Sequence, residues 1–260
     1  MDSSFLIFAL LALGAAAASP LGGLLSLLIK PSSLMLSLAV GYAGGVLLGA
    51  VSFEMVPKAL ELTHPLIVYG AIVIGVLLVW GFDLYINRGA TAGEKADQKH
   101  HVRRFPRRHK PRGSKVAVIA GATAAEELIE GVVIGVTAAV GGSTGLVVAL
   151  AIAVDNISEA LSIGELVLNE EGDSNKSRAV MFWTGLIGVS LAVSAFAGYL
   201  LLKDIPPEWQ GTLTALGAGA MFYVATGGLV PEADENQFQQ SGALATAAGF
   251  LSILVISQLS

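Results

Sequence analysis

Two stretches of this chain place acids where the surrounding sequence is almost wholly apolar. The first reads Ala125-Glu126-Glu127-Leu128-Ile129-Glu130-Gly131 and runs on as Val132-Val133-Ile134-Gly135. The second reads Val154-Asp155-Asn156-Ile157-Ser158-Glu159-Ala160 and runs on as Leu161-Ser162-Ile163-Gly164. Both follow acid–polar–x–x–Glu–small–x–x–Ile–Gly, an internal repeat over ten residues with a period of 29. On a helix, Glu126 and Glu130 stand four apart and share a face, as do Asp155 and Glu159. Glu127 lies about 100° round from Glu126, at the edge of that stripe. Asn156 holds the corresponding edge of the second helix. Two such stripes, face to face, gather up to eight carboxylate oxygens and an amide in one small volume. Gly131 and Ala160 remove bulk beside the glutamates and let helices approach.

Carboxylates at membrane depth are functional candidates by default. A structural role would pair them with internal Lys or Arg, yet no basic residue lies between 116 and 175. The remaining means of neutralising five crowded acids are protonation or a bound cation. The first describes a proton relay. The second, which the crowding favours, describes a divalent-metal site.

Composition demands a membrane around these helices. The 260 residues are 54% hydrophobic and 13% charged, with 31 glycines and a mean hydropathy of +0.71. A soluble domain carries about a quarter of its residues as charges. There are no cysteines, which removes disulfides, thiolate metal sites and cysteine nucleophiles. The longest polar stretch is too short to bury a core of its own. The start, Met1-Asp2-Ser3-Ser4 before Phe5 to Ser19, lacks the basic residue of a secretory signal and reads as a retained helix.

A spanning helix needs roughly 20 apolar residues. Eight segments qualify, at about 5–29, 32–56, 66–87, 115–140, 144–168, 179–202, 211–231 and 241–259. Between spans three and four, residues 88–114 form a basic loop bearing His100, His101 and His109, expected to be disordered. Thirteen of the fifteen Lys and Arg residues fall on one side of an eight-span topology, leaving Lys58 and Lys203 on the other. The positive-inside rule makes the basic side cytoplasmic and puts both termini outside. The loop histidines offer a secondary metal site. A nucleic-acid role finds no aromatic interleaving to support it.

Spans two and seven share a second pattern. Span two ends Phe53-Glu54-Met55-Val56-Pro57-Lys58-Ala59-Leu60-Glu61, and span seven ends Gly227-Gly228-Leu229-Val230-Pro231-Glu232-Ala233-Asp234-Glu235. These helices run in opposite directions, so the repeat is inverted, a common transporter device. Glu54 is expected to reach the outer mouth of the site. Met55 and Met221 read as packing residues before soft ligands, and Asp83 and Glu165 as helix-end residues.

Taken in order, these motifs resemble the ZIP family of divalent-metal transporters. That resemblance implies an all-α protein of eight transmembrane helices in a 3+2+3 arrangement with an inverted repeat, forming one transporter domain over 1–260. The family signature is His–Asn–x–Pro–Glu–Gly in span four and His/Gln–Asn/Asp–x–Pro–Glu in span five. Its matches here are Glu126, Glu127, Glu130 and Gly131, then Asp155, Asn156 and Glu159, with Glu54 as a further member of the metal set. Both motif prolines are replaced, by Ile129 and Ser158, and the acid that the family often carries in span seven is Gly227 or Gly228. The metal is the transported substrate: Zn²⁺ is favoured by the family, with Mn²⁺, Fe²⁺, Cd²⁺ or Co²⁺ as alternatives, while an almost all-oxygen centre suits Mn²⁺, Mg²⁺ and Ca²⁺ and accepts Fe²⁺, Co²⁺ or Zn²⁺ with less selectivity. Expected partners are divalent ions and the bilayer of a plasma (inner) membrane, with a homodimer left open and no nucleic acid. The rival readings are an intramembrane acid-dependent hydrolase and a proton-coupled carrier of an organic solute. The hydrolase lacks the basic residues a pyrophosphate site needs.

Overall fold

In a bilayer no water is present to satisfy backbone N–H and C=O groups, so long apolar runs close their hydrogen bonds internally as helices. A computed structural model describes residues 3–86, 115–169, 175–234 and 239–259 of the chain. It contains eight long helices: α1 Ser3–Ile29, α2 Ser33–Leu62, α3 Pro65–Ile86, α4 Lys115–Val140, α5 Thr144–Asn169, α6 Lys176–Leu202, α7 Pro207–Asp234 and α8 Gln239–Leu259. Seven are long and apolar enough to cross a membrane. The eighth, α4, is equally long but carries Glu126, Glu127 and Glu130 in its middle. The chain is an all-helical, polytopic membrane protein. The basic loop 88–114, its histidines and its expected disorder lie outside the described residues, as does the side chain of Asp83.

The helices sort into two groups by packing. In one, α4 packs on α6, α1 on α5 and α6, and α4 on α5. Phe8 of α1 stacks on Tyr199 of α6 with ring centroids 4.1 Å apart. In the other, α2 packs on α8, and α3 on α7. The groups meet where α2 touches α5 and where α4 touches α7. Each of these pairings has an inverted counterpart: α1 with α5 mirrors α6 with α4, and α2 with α8 mirrors α7 with α3.

Two glycines mark that symmetry. Gly45 stands nine residues before Glu54, and Gly219 nine before Gly228. A side chain on Gly45 would strike the Thr246 carbonyl of α8, and one on Gly219 the Ile72 carbonyl of α3. Each helix of the repeat therefore lies backbone against backbone on its neighbour, as small residues permit where lipid supplies no hydrophobic drive.

Pro57 and Pro231 lie inside their helices. Proline removes an N–H and crowds the carbonyl four residues back. Each is preceded by a π-helical turn, Val51–Met55 and Val224–Leu229, which widens the backbone locally. Val56 N–H bonds to the Val51 carbonyl, and Val230 N–H to the Ala225 carbonyl. The helices then continue to Leu62 and Asp234.

Gly131 allows close approach, but to α6: a side chain there would meet Ser194 Oγ and the Leu191 carbonyl. Ala160 faces α1, where a side chain on Gly22 would come within 2.9 Å of its Cβ. Each site helix is thus pressed against a flanking helix. Gly131→Val is expected to lower stability by about 1–3 kcal/mol, the usual range for overpacking. A fall in Tm in detergent relative to the parent checks this, and an unchanged Tm refutes the close packing.

Candidate metal site

The acids of α4 and α5 meet in the middle of the first helical group. Ser194 Oγ of α6 donates to the Glu127 carbonyl at 3.2 Å, also bonding the Ser190 carbonyl at 2.9 Å, and so ties the acidic turn of α4 to α6. On the other side, Asn156 Nδ2 donates to the Ala15 carbonyl of α1 at 3.3 Å. Both site helices are therefore fixed from behind, through groups at the site itself.

Burial there is severe. Glu127 is 1% exposed, Glu130 4%, Asp155 1% and Asn156 0%, while Glu126 and Glu159 are half-buried. Glu127 lies close enough to Asn156 and Glu159 for their side chains to interact, and within charge–charge range of Asp155 and Glu126. Glu130 is in range of Glu127, Asp155 and Glu126, and Glu159 of all four other acids. The structure thus brings all six predicted residues of α4 and α5 into one neighbourhood. Ser158, where the family pattern has proline, donates to the Asp155 carbonyl at 2.9 Å.

Four buried oxygens in this neighbourhood have no hydrogen-bond partner among the described residues: Glu127 Oε2, Glu130 Oε2, Asp155 Oδ2 and Asn156 Oδ1. An unsatisfied buried polar group costs about 1–3 kcal/mol, and a charged one more. A set of four, all acceptors, is matched chemically by a cation or by protons. In the conformation seen, no three His, Asp or Glu side chains among the described residues are gathered closely enough to hold an ion.

Glu54 is not part of this neighbourhood. It lies in the π turn of α2, 6% exposed, and its Oε2 accepts hydrogen bonds from Ser143 Oγ and Thr144 Oγ1, both at 3.2 Å. Thr144 begins α5, and Asp155 lies eleven residues further on, about 16 Å along the helix axis at 1.5 Å per residue. Met55 and Met221 are both fully buried in the hydrophobic core. Glu165 accepts from Asn169 Nδ2 at 3.2 Å near the end of α5.

One acid escaped the sequence reading. Glu232 of α7 lies within charge range of Asp155. Its signal was its spacing, one helical turn beyond Gly228, where the family carries its own acid.

No protein-family model matches the chain. It is 28% identical over 260 residues to the zinc transporter ZupT of Salmonella arizonae, covering 96% of both chains. It is 29% identical to the zinc transporter ZupT of Escherichia fergusonii over 230 residues, 87% of this chain and 86% of the relative. Both relatives are zinc transporters, and the likeness runs over most of the chain, in keeping with the resemblance to the ZIP family. Measured against the ZIP signature, the chain departs at the acids of α4. Glu126 and Glu127 stand in that signature's histidine and asparagine positions of span four, so carboxylates replace its imidazole and amide there.

Proposed function

We propose that this chain carries Zn²⁺, or a related divalent transition metal, across the membrane into the cytoplasm through the carboxylate site between α4 and α5. The observation that carries this reading is the set of buried, unpartnered oxygens of Glu127, Glu130, Asp155 and Asn156, in a segment with no basic residue. The names and nearly full-length match of the ZupT relatives support the same substrate class.

The ligands are Glu126, Glu127, Glu130, Asp155, Asn156 and Glu159. Binding an ion draws these side chains inward by rotation about their own χ angles, which the three-torsion glutamates do readily. The orientation follows from charge, with Lys30, the 88–114 segment, Lys176 and Arg178 on the cytoplasmic face, and inward movement is what the family resemblance implies. The two packing groups suggest the motion, with α1, α4, α5 and α6 moving against α2, α3, α7 and α8. The ion then meets alternate faces through the α2–α5 and α4–α7 seams.

Crystals soaked separately in Zn²⁺, Cd²⁺ and Mn²⁺ test the site by anomalous scattering. A peak between α4 and α5 for each ion is expected. Peaks confined to the loop histidines, with none at the acids, would overturn the assignment.

A further inference from the structure

The inverted repeat is broken at one position that bears on access to the site. The Val–Pro pattern and the paired π turns make Glu54 of α2 and Gly228 of α7 equivalent. Glu54 crosses the boundary between the two helical groups. Its carboxylate is buried and accepts from two hydroxyls, Ser143 Oγ and Thr144 Oγ1, at the first turn of α5. A carboxylate there also meets the positive end of the α5 dipole. Gly228 can make no such bridge, and a Cβ built on it meets no atom within 4 Å. A Cβ built on Gly121 of α4 likewise meets no atom within 4 Å.

Packing follows the same asymmetry. α5 touches α2 along both Ser33–Ala50 and the π turn Val51–Met55. α4 touches Pro207–Tyr223 of α7 but makes almost no contact with Val224–Asp234. One end of the seam between the groups is bolted by side chains, and the inverted end is not.

We propose that Glu54, Ser143 and Thr144 form a latch that holds the outer end of the transport path shut. Glu54 is then a positioning residue that gates the site, in place of the ligand role its sequence pattern suggests. The absence of a matching side chain at Gly228 leaves the inward-facing arrangement as the resting state. This inference rests on the transport reading and its orientation.

The chain's lack of native cysteine makes the test direct. Ala151 is fully buried on α5, seven residues beyond Thr144 and four before Asp155, on their shared face. In Ala151→Cys, a membrane-impermeant thiosulfonate added to the outer face reads whether the path is open, with no metal present. Labelling is expected to be slow in Ala151→Cys alone. It should rise about tenfold or more when Glu54→Ala is added, the scale of losing charge-assisted hydrogen bonds. Ser143→Ala with Thr144→Val should raise it equally. Glu54→Gln, whose carbonyl still accepts both hydroxyls, should keep it slow.

Unchanged labelling in both broken-latch chains, each monodisperse in detergent, overturns the proposal. Equally fast labelling in every chain, Glu54→Gln included, overturns it too. Because the readout uses no metal, its failure is distinct from failure of the transport reading, which is read by uptake.

Discussion

Glu130→Ala and Glu159→Ala should each abolish saturable Zn²⁺ uptake into proteoliposomes. Both residues stand on the shared face of their helix, one turn from Glu126 and Asp155 respectively. Losing an outer-shell partner of a metal commonly costs about 10–100-fold in affinity, so losing a direct ligand should cost at least that. Two further considerations raise the expected loss. Glu130 is buried with an unpartnered oxygen, and Glu159 is in charge range of all four other acids of the set. Truncating either removes a carboxylate from the cluster. Glu61, exposed and paired with Lys58 at 3.0 Å, makes a suitable control, since Glu61→Gln removes an acid remote from the α4–α5 cluster. Saturable uptake retained in both alanine variants would sink the assignment. Loss in the Glu61 variant as well would point to a general folding defect.

Glu126→His should move selectivity toward Zn²⁺. Imidazole suits zinc better than the harder Mn²⁺, for which carboxylate oxygen is the preferred donor. Glu126 is half-buried, so a side chain of similar length can replace it without opening a core cavity. The ratio of Zn²⁺ to Mn²⁺ uptake, measured in competition, should rise by about tenfold, equivalent to about 1.4 kcal/mol of differential binding. An unchanged ratio would mean that Glu126 does not touch the ion. Binding by isothermal titration should show the same shift, separating affinity from turnover.

The clustering of the α4 and α5 acids was legible because their spacing is local. Spacings of four residues on α4 and α5 are converted to shared faces by the helix itself, and no tertiary information is needed. What fixes those helices from behind was not legible. Nothing in the acidic motifs signals that Ser194 will hold the Glu127 carbonyl, or that Ala15 will take the Asn156 amide, since these pairings join positions far apart in the chain. The small residues were read correctly as close-approach points, but their partners proved to be α6 and α1. Glu54 shows the same limit from the other side. Its type and its place near a helix end were evident, but its distance from Asp155 depends on where α2 meets the start of α5. The π turns before Pro57 and Pro231 were not legible either, since a π turn that admits a proline has no strong local signature.

Those π turns carry a consequence for engineering. A single widened turn inserts about one residue into the helical phase, which rotates everything downstream by about 100° about the axis. α2 can therefore show one face to α8 over its first half and aim a different azimuth of its second half, Val56–Leu62, at α7. Deleting one residue from Val51–Met55 would restore a uniform phase and swing Lys58, Ala59 and Glu61 round the axis together. Each half of the repeat carries one widened turn whose effect is on direction alone.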